Sequence, residues 1–240
     1  MSMHTSHRGA QLPYRPLAGV VPCPGGWLVA GAKLQGITLS PEAPQVFGTL
    51  LDVLDYKPAY QIIALAAPVG LLDEPVPGGR RCDRDARRLI GWPRNGAIVS
   101  PPARSVLRDL AQGVDVSLSA VGRKLVSRFA EVDDDIQPYW QRTVFEVHPE
   151  LSFFQLNEDQ PLRHSKHSQV GVEERTALLN ARLPGVERIL ETRLRGAKPA
   201  HRVDGAVCLW TARRIAAKAV NRLPEDPEWD SAGLRMEIVR

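Results

Sequence analysis

Residues 62–66 (Ile-Ile-Ala-Leu-Ala) are apolar without interruption, and the run stops at Pro68 and Gly70. A strand with one wet face alternates polar and apolar residues; a strand with no polar face must be covered on both sides. This segment therefore reads as the central strand of an α/β sheet packed between helices. Even extended to 62–69 it is broken by Pro68 and falls far short of the roughly 20 apolar residues that a membrane helix requires.

The flanking sequence supplies the element order. Residues 17–21 form a short apolar run closed by Pro22-Cys23-Pro24-Gly25-Gly26, which reads as a turn cluster. Residues 27–33 and 37–39 read as two more strands around a Gln35-Gly36 turn. Ser40-Pro41-Glu42 has the form of a helix start: a capping hydroxyl, proline at the first position and a carboxylate in the first turn. Phe47, Leu50, Leu51 and Leu54 then fall on one helical face.

A Pro/Gly loop at 74–79 leads to a short basic helix near 82–90, and 117–139 carries the longest helical pattern. A strand at 143–148 stops at Pro149, helices follow near 150–156, 171–183, 185–194 and 203–220, and a last strand spans 236–239. The expected fold is α/β: a mixed sheet of three opening strands, then strands alternating with helices, flanked by helices on both faces. Residues 1–15 are expected to be a flexible polar tail, and 16–240 a single domain.

At 43% hydrophobic and 24% charged, the chain can bury a sizeable core, which excludes wholesale disorder. The N-terminus has no hydrophobic signal region, and Cys23, Cys82 and Cys208 show no CxxC spacing. A reduced, cytoplasmic protein with no membrane contact is the expectation. The net charge of +4 hides a strong asymmetry: residues 80–94 carry +4, 95–160 carry −4 and 161–240 carry +5. Of the 31 basic residues 25 are Arg, the type suited to bidentate phosphate contacts.

Several residues stand out chemically. Alternation along 143–148 places Phe145 and Val147 on one strand face and Val144, Glu146 and His148 on the other. A carboxylate in mid-strand needs water, a partner charge or a metal, because burying it alone is costly. Asp204 stands near a helix start, where an N-cap is expected, yet it also shares a face with Cys208, Thr211 and Ile215. Pro149-Glu150 is an ordinary helix opening that the macrodipole explains.

In the basic segment Arg84, Arg87 and Arg88 form one helical stripe, and Asp83 is spaced to pair with Arg87. Such a run is either a salt-bridged solvent face or a phosphate-binding one. His164-Ser165-Lys166-His167 lies between helices and suits phosphate oxygens or a metal, while Cys23 is either a reactive thiol or a small buried turn residue. No P-loop, Rossmann glycine fingerprint, HExxH or GxSxG motif is present, which removes the common nucleotide-binding, zincin and hydrolase readings.

Taken in order, Cys23-Pro24-Gly25-Gly26-Trp27, Pro68-Val69-Gly70-Leu71, the 80–87 segment RRCDRDAR, Val144-Phe145-Glu146-Val147-His148-Pro149-Glu150, His164-Ser165-Lys166 and Asp204-Gly205-Ala206 form a set. The chain resembles the predicted RNase H-like nuclease family of unknown function, the "domain of unknown function 429" proteins, over about residues 17–240. The resemblance implies an RNase H-like fold and phosphodiester hydrolysis assisted by Mg²⁺ or Mn²⁺ held by clustered carboxylates. It further implies that Glu146 and Asp204 are catalytic residues and metal ligands, and that Arg80, Arg81, Arg84, Arg87, His164 and Lys166 contact the phosphates of a nucleic acid.

This chain departs from the family pattern at two carboxylate positions, which are Val21 and Ala66 here. Asp73 or Glu74, just beyond the central strand, are the available substitutes. Weakened or lost nuclease activity is therefore expected. The alternative reading is a catalytically inactive RNase H-like module, without a cofactor, that binds nucleic acid or a protein partner through its Arg-rich helix. The acidic stretch 131–135 is either a partner site or the polar end of a helix.

Overall fold

The structure, a computed structural model, describes residues 13–240. The chain opens with β1 (Arg15–Cys23) and β2 (Gly26–Gln35), antiparallel along their whole length with Cys23 opposite Gly26. The hairpin tip is thus only Pro24-Gly25, and Pro22 belongs to the strand rather than to a turn. It is tolerated there because the ladder on the other side of β1 ends at Val20, so no N–H is required beyond that point. The tail expected at 1–15 falls mostly outside the described residues, and Arg15 itself begins β1.

β3 (Thr38–Pro41) and β4 (Gln45–Phe47) both run antiparallel to β2. The helix start expected at Ser40 is therefore a strand: Ser40 pairs with Lys33 and Pro41 with Ala32, on an edge that lacks a further neighbour. The helix, α1 (Leu50–Leu54), begins only after Thr49, where Thr49 and Asp52 close a reciprocal capping box.

The apolar run forms β5 (Ile62–Leu65), parallel to β1, and β6 (Val144–Glu146) lies parallel to β5. The strand order β3-β2-β1-β5-β6 places the apolar strand inside the sheet, as its composition requires. Between β5 and β6 run α2 (Arg81–Ile90), the unanticipated α3 (Arg104–Ala111) and α4 (Ala120–Asp135). After β6 come α5 (Pro149–Leu156), α6 (Gln169–Arg182), α7 (Glu187–Leu190) and α8 (Pro199–Ala216). The expected last strand, β8 (Arg235–Val239), pairs with β7 (Arg222–Trp229) in a separate two-stranded sheet.

Helices cover both faces of the main sheet. Leu17, Val21, Leu28 and Ala64 pack with Val207, Cys208 and Ala212 of α8, Leu179 of α6 and Phe153 of α5. Ala18, Val20, Ile63 and Leu65 pack on the opposite side with Leu50 and Val53 of α1 and Val132 of α4. A third cluster joins α2, α5 and β8 through Cys82, Ala86, Leu151, Met236 and Ile238. No described helix is long and apolar enough to cross a membrane.

One glycine sets the position of α8. A Cβ at Gly19 in β1 would stand 2.2 Å from the Leu209 nitrogen and 2.3 Å from the Gly205 oxygen. Only the absence of a side chain lets the α8 backbone lie directly on β1. That contact fixes Asp204, one residue earlier, above the end of the central strands.

Candidate functional site

The carboxyl ends of β1, β5 and β6 point the same way, and ligands in open α/β sheets bind beyond such ends. Val21 and Pro22 lie in the last residues of β1, Ala66 follows β5, and Glu146 closes β6. Two cavities meet there. An inner one of about 230 Å³ is walled by Val21, Pro22, Ala66 and Leu125, with His148, Glu150, Lys166 and Asp204 also lining it. An outer one of about 330 Å³ is lined by Arg94, Val99, Ser165 and His167, and shares Ala97, Glu150 and Lys166 with the inner.

Glu146 is 6% exposed and faces a partner charge rather than water. Its Oε1 and Oε2 accept from Nη2 and Nη1 of Arg80 at 2.5 and 2.8 Å, and Oε2 also accepts from the Val69 amide at 2.7 Å. Arg80, itself 2% exposed, donates onward to both carboxylate oxygens of Asp83 and to the Gly70 carbonyl. All five guanidinium N–H groups are thereby used. One cation shared by two buried carboxylates leaves an excess negative charge. Burial pushes the Glu146 carboxyl up to about 7 and Asp83 adds to the effect, against the pull of Arg80 and the Val69 N–H.

Asp204 lies in the second turn of α8 rather than at its N-cap, which is Lys198. It shares a buried face with Cys208, Thr211 and Ile215, and its Oδ2 accepts from the Lys166 ammonium at 2.7 Å. Burial works against the Lys166 charge, but the Asp204 charge and hydrogen bond outweigh it and raise the lysine above its ordinary value. Burial lowers His148 to about 4, so its imidazole is neutral at pH 7, and Nδ1 accepts from the Glu150 amide.

Glu150 is more than a helix opening. It is 4% exposed, and its Oε1 accepts from Nη2 of Arg175 at 2.7 Å, while Oε2 has no hydrogen-bond partner. Arg175 is 1% exposed and is held further by the carbonyls of His164 and Gly171. Arg175 had a legible signal: it sits four residues before Leu179, on the stripe that α6 buries. Arg94, in the loop after α2, had only its place at the end of the basic segment 80–94.

The basic helix is turned largely inward. Arg84 donates to the Gly79 carbonyl, and Arg87 to the carbonyls of Gly78 and Ile98 and to Ser100 Oγ. The expected Asp83–Arg87 pair gives way to Asp83–Arg80, because Arg80 precedes the helix and can reach both Asp83 and Glu146. Arg81 and Arg88 are exposed and both pair with Asp85. His164 is exposed, its amide held by Glu174, and it lines neither cavity.

The other candidates are internal. Cys23, Cys82 and Cys208 are free and buried. In the acidic stretch, Glu131 caps Leu50 and pairs with Arg128, while Asp133 pairs with Arg104. Asp73 also belongs to Arg104, and so supplies no ligand at the cleft.

The residues present do not fit the divalent cation that the resemblance implies. Glu146 and Asp204 reach the strand ends from opposite faces: Glu146 shares its strand face with Val144 on the α4 side, whereas α8 covers the other. Each is already bound by a cation of the chain, and the remaining family positions are apolar. Among the described residues no group of three or more His, Cys, Asp or Glu could hold a metal.

No curated protein and no solved structure matches the chain. A family model does, over residues 19–229, which spans every strand of the main sheet from within β1 and, among the described residues, helices α1 to α8. The chain belongs to the family described as "Protein of unknown function (DUF429)".

Proposed function

We propose that this protein is a metal-independent RNase H-like module that binds single-stranded nucleic acid at the carboxyl edge of its sheet. The observation that carries the reading is the pairing of Glu146 with Arg80 and of Asp204 with Lys166. Two carboxylates so engaged leave no oxygen cluster with the negative charge that two divalent cations need. Internal cations engage the two carboxylates that the resemblance assigns to metal.

The binding surface lies beside this centre rather than on the Arg-rich helix, whose Arg80, Arg84 and Arg87 are committed internally. Trp92 is 85% exposed, two residues from Arg94 at the outer cavity. The basic start of α4, with the exposed Arg123 and Lys124, adjoins the inner cavity through Leu125. Cations beside an exposed aromatic suit single strands, whose unstacked bases offer a π-face.

The test is fluorescence anisotropy of labelled single-stranded RNA and DNA, with EDTA present, across a range of salt. Binding should persist in EDTA and weaken with a log–log slope of roughly −2 to −3, at about 0.7 for each of three or four phosphates neutralised. Absence of binding overturns the proposal. So does Mg²⁺- or Mn²⁺-dependent cleavage that Glu146→Gln and Asp204→Asn both abolish.

A further inference from the structure

Resting on that reading, we propose that the two adjoining cavities hold one nucleotide residue of the strand, its base in the inner cavity and its phosphate in the outer, and that the inner cavity prefers an amino-bearing base. Three residues common to both cavities, Ala97, Glu150 and Lys166, set them side by side, within the span of one nucleotide. The outer volume alone, about 330 Å³, enters the range of roughly 300 to 1,000 Å³ typical of small-molecule sites.

The outer cavity has the chemistry of a phosphate site. Arg94 has no ion pair among the described residues, and its Nε is buried without a hydrogen-bond partner. Lys166 spends one ammonium proton on Asp204 and keeps two. Ser165 and His167 add polar side chains on the same wall. An unpaired guanidinium beside a partly buried ammonium is what a phosphate would complete.

The inner cavity has the chemistry of a base site. Val21, Pro22, Ala66 and Leu125 offer apolar walls, two of them at positions where family carboxylates have been lost. Its polar lining includes Lys166, His148 and His201 beside two carboxylates, and of these acceptors the buried Oε2 of Glu150 is unpartnered while Asp204 already holds Lys166. An unsatisfied buried acceptor is costly, and an N–H supplied by a ligand removes that cost. The exocyclic amino group of cytosine, adenine or guanine supplies it; the carbonyl that uracil carries in place of cytosine's amino group meets the carboxylate with repulsion.

Calorimetric titration with cytidine 5′-monophosphate and uridine 5′-monophosphate tests this, since the two differ at that position. The cytidine nucleotide should bind about tenfold or more tightly than the uridine nucleotide. Arg94→Ala, a change at a loop side chain, should weaken both by about tenfold. Ala66→Leu, which fills the inner cavity from a half-exposed position, should remove the preference for cytidine while inorganic phosphate still binds; unchanged circular-dichroism melts establish that both variants fold. Equal affinity for the two nucleotides, or Ala66→Leu without effect, overturns the pocket. If neither mononucleotide binds while single strands still do, the pocket fails and the strand-binding reading stands; if strands fail as well, both fall.

Discussion

Replacing Arg80 by methionine would remove the cation at the centre of the Glu146–Asp83 pair while keeping much of its volume. Five hydrogen bonds disappear, four of them to carboxylate oxygens and one to the Gly70 carbonyl. Both carboxylates are at most 6% exposed, so water cannot take over. Removing one partner of a buried ion pair costs about 3–5 kcal/mol, because the remaining charge is left uncompensated. Against a domain stability of about 5–15 kcal/mol, that is a large fraction.

Urea denaturation followed by tryptophan fluorescence measures the cost, and the double variant Arg80→Met with Glu146→Gln separates charge from packing. If the penalty is electrostatic, the arginine change should cost at least 1 kcal/mol less in the glutamine background, within the usual range for coupled sites. It should also shrink at acid pH, where Glu146 takes up a proton. Arg80→Lys provides a milder comparison should the methionine variant not accumulate. A cost below about 1 kcal/mol, or one identical in both backgrounds, would refute the view that this arginine stands in for a metal charge.

Three further outcomes follow from the same structure. Because Glu146 rises from an ordinary 4.5 to about 7 on folding, the native state binds the extra proton between those values. Its contribution to stability is complete below about pH 4.5 and lost as pH rises through 7, an effect on the order of 3 kcal/mol that Glu146→Gln should flatten in urea titrations at stepped pH. Gly19→Ala would drive a methyl into the α8 backbone and should cost about 3 kcal/mol, read as a lower midpoint in the same assay. Glu131→Gln weakens the hydrogen bond that caps the Leu50 amide and should cost about 1 kcal/mol by thermal melting, whereas an unchanged midpoint would leave that contact without energetic weight.

Much of the architecture was legible in local pattern. The uninterrupted run at 62–66 required an interior strand, and β5 is one. The spacing of Asp204, Cys208, Thr211 and Ile215 required a packed helix face, and all four are buried. Alternation put Glu146 among apolar neighbours, where burial demanded a partner charge or a metal. Periodicity is a property of adjacent residues, so the sequence carries it directly.

Pairing at long range is not local, and only the tertiary structure decided it. Arg80 lies 66 positions from Glu146, and Lys166 lies 38 from Asp204. Ser40-Pro41-Glu42 satisfies the local rules for a helix start, yet the ladder with β2 claimed it because pairing buries more than one short turn would. The basic run near α2 spoke for exposed phosphate contacts until the fold supplied carbonyls and carboxylates for Arg80, Arg84 and Arg87. Composition determined that the chain carries these charges; which of them meet each other, and which remain free for a ligand, was fixed only when the sheet brought distant segments to one edge.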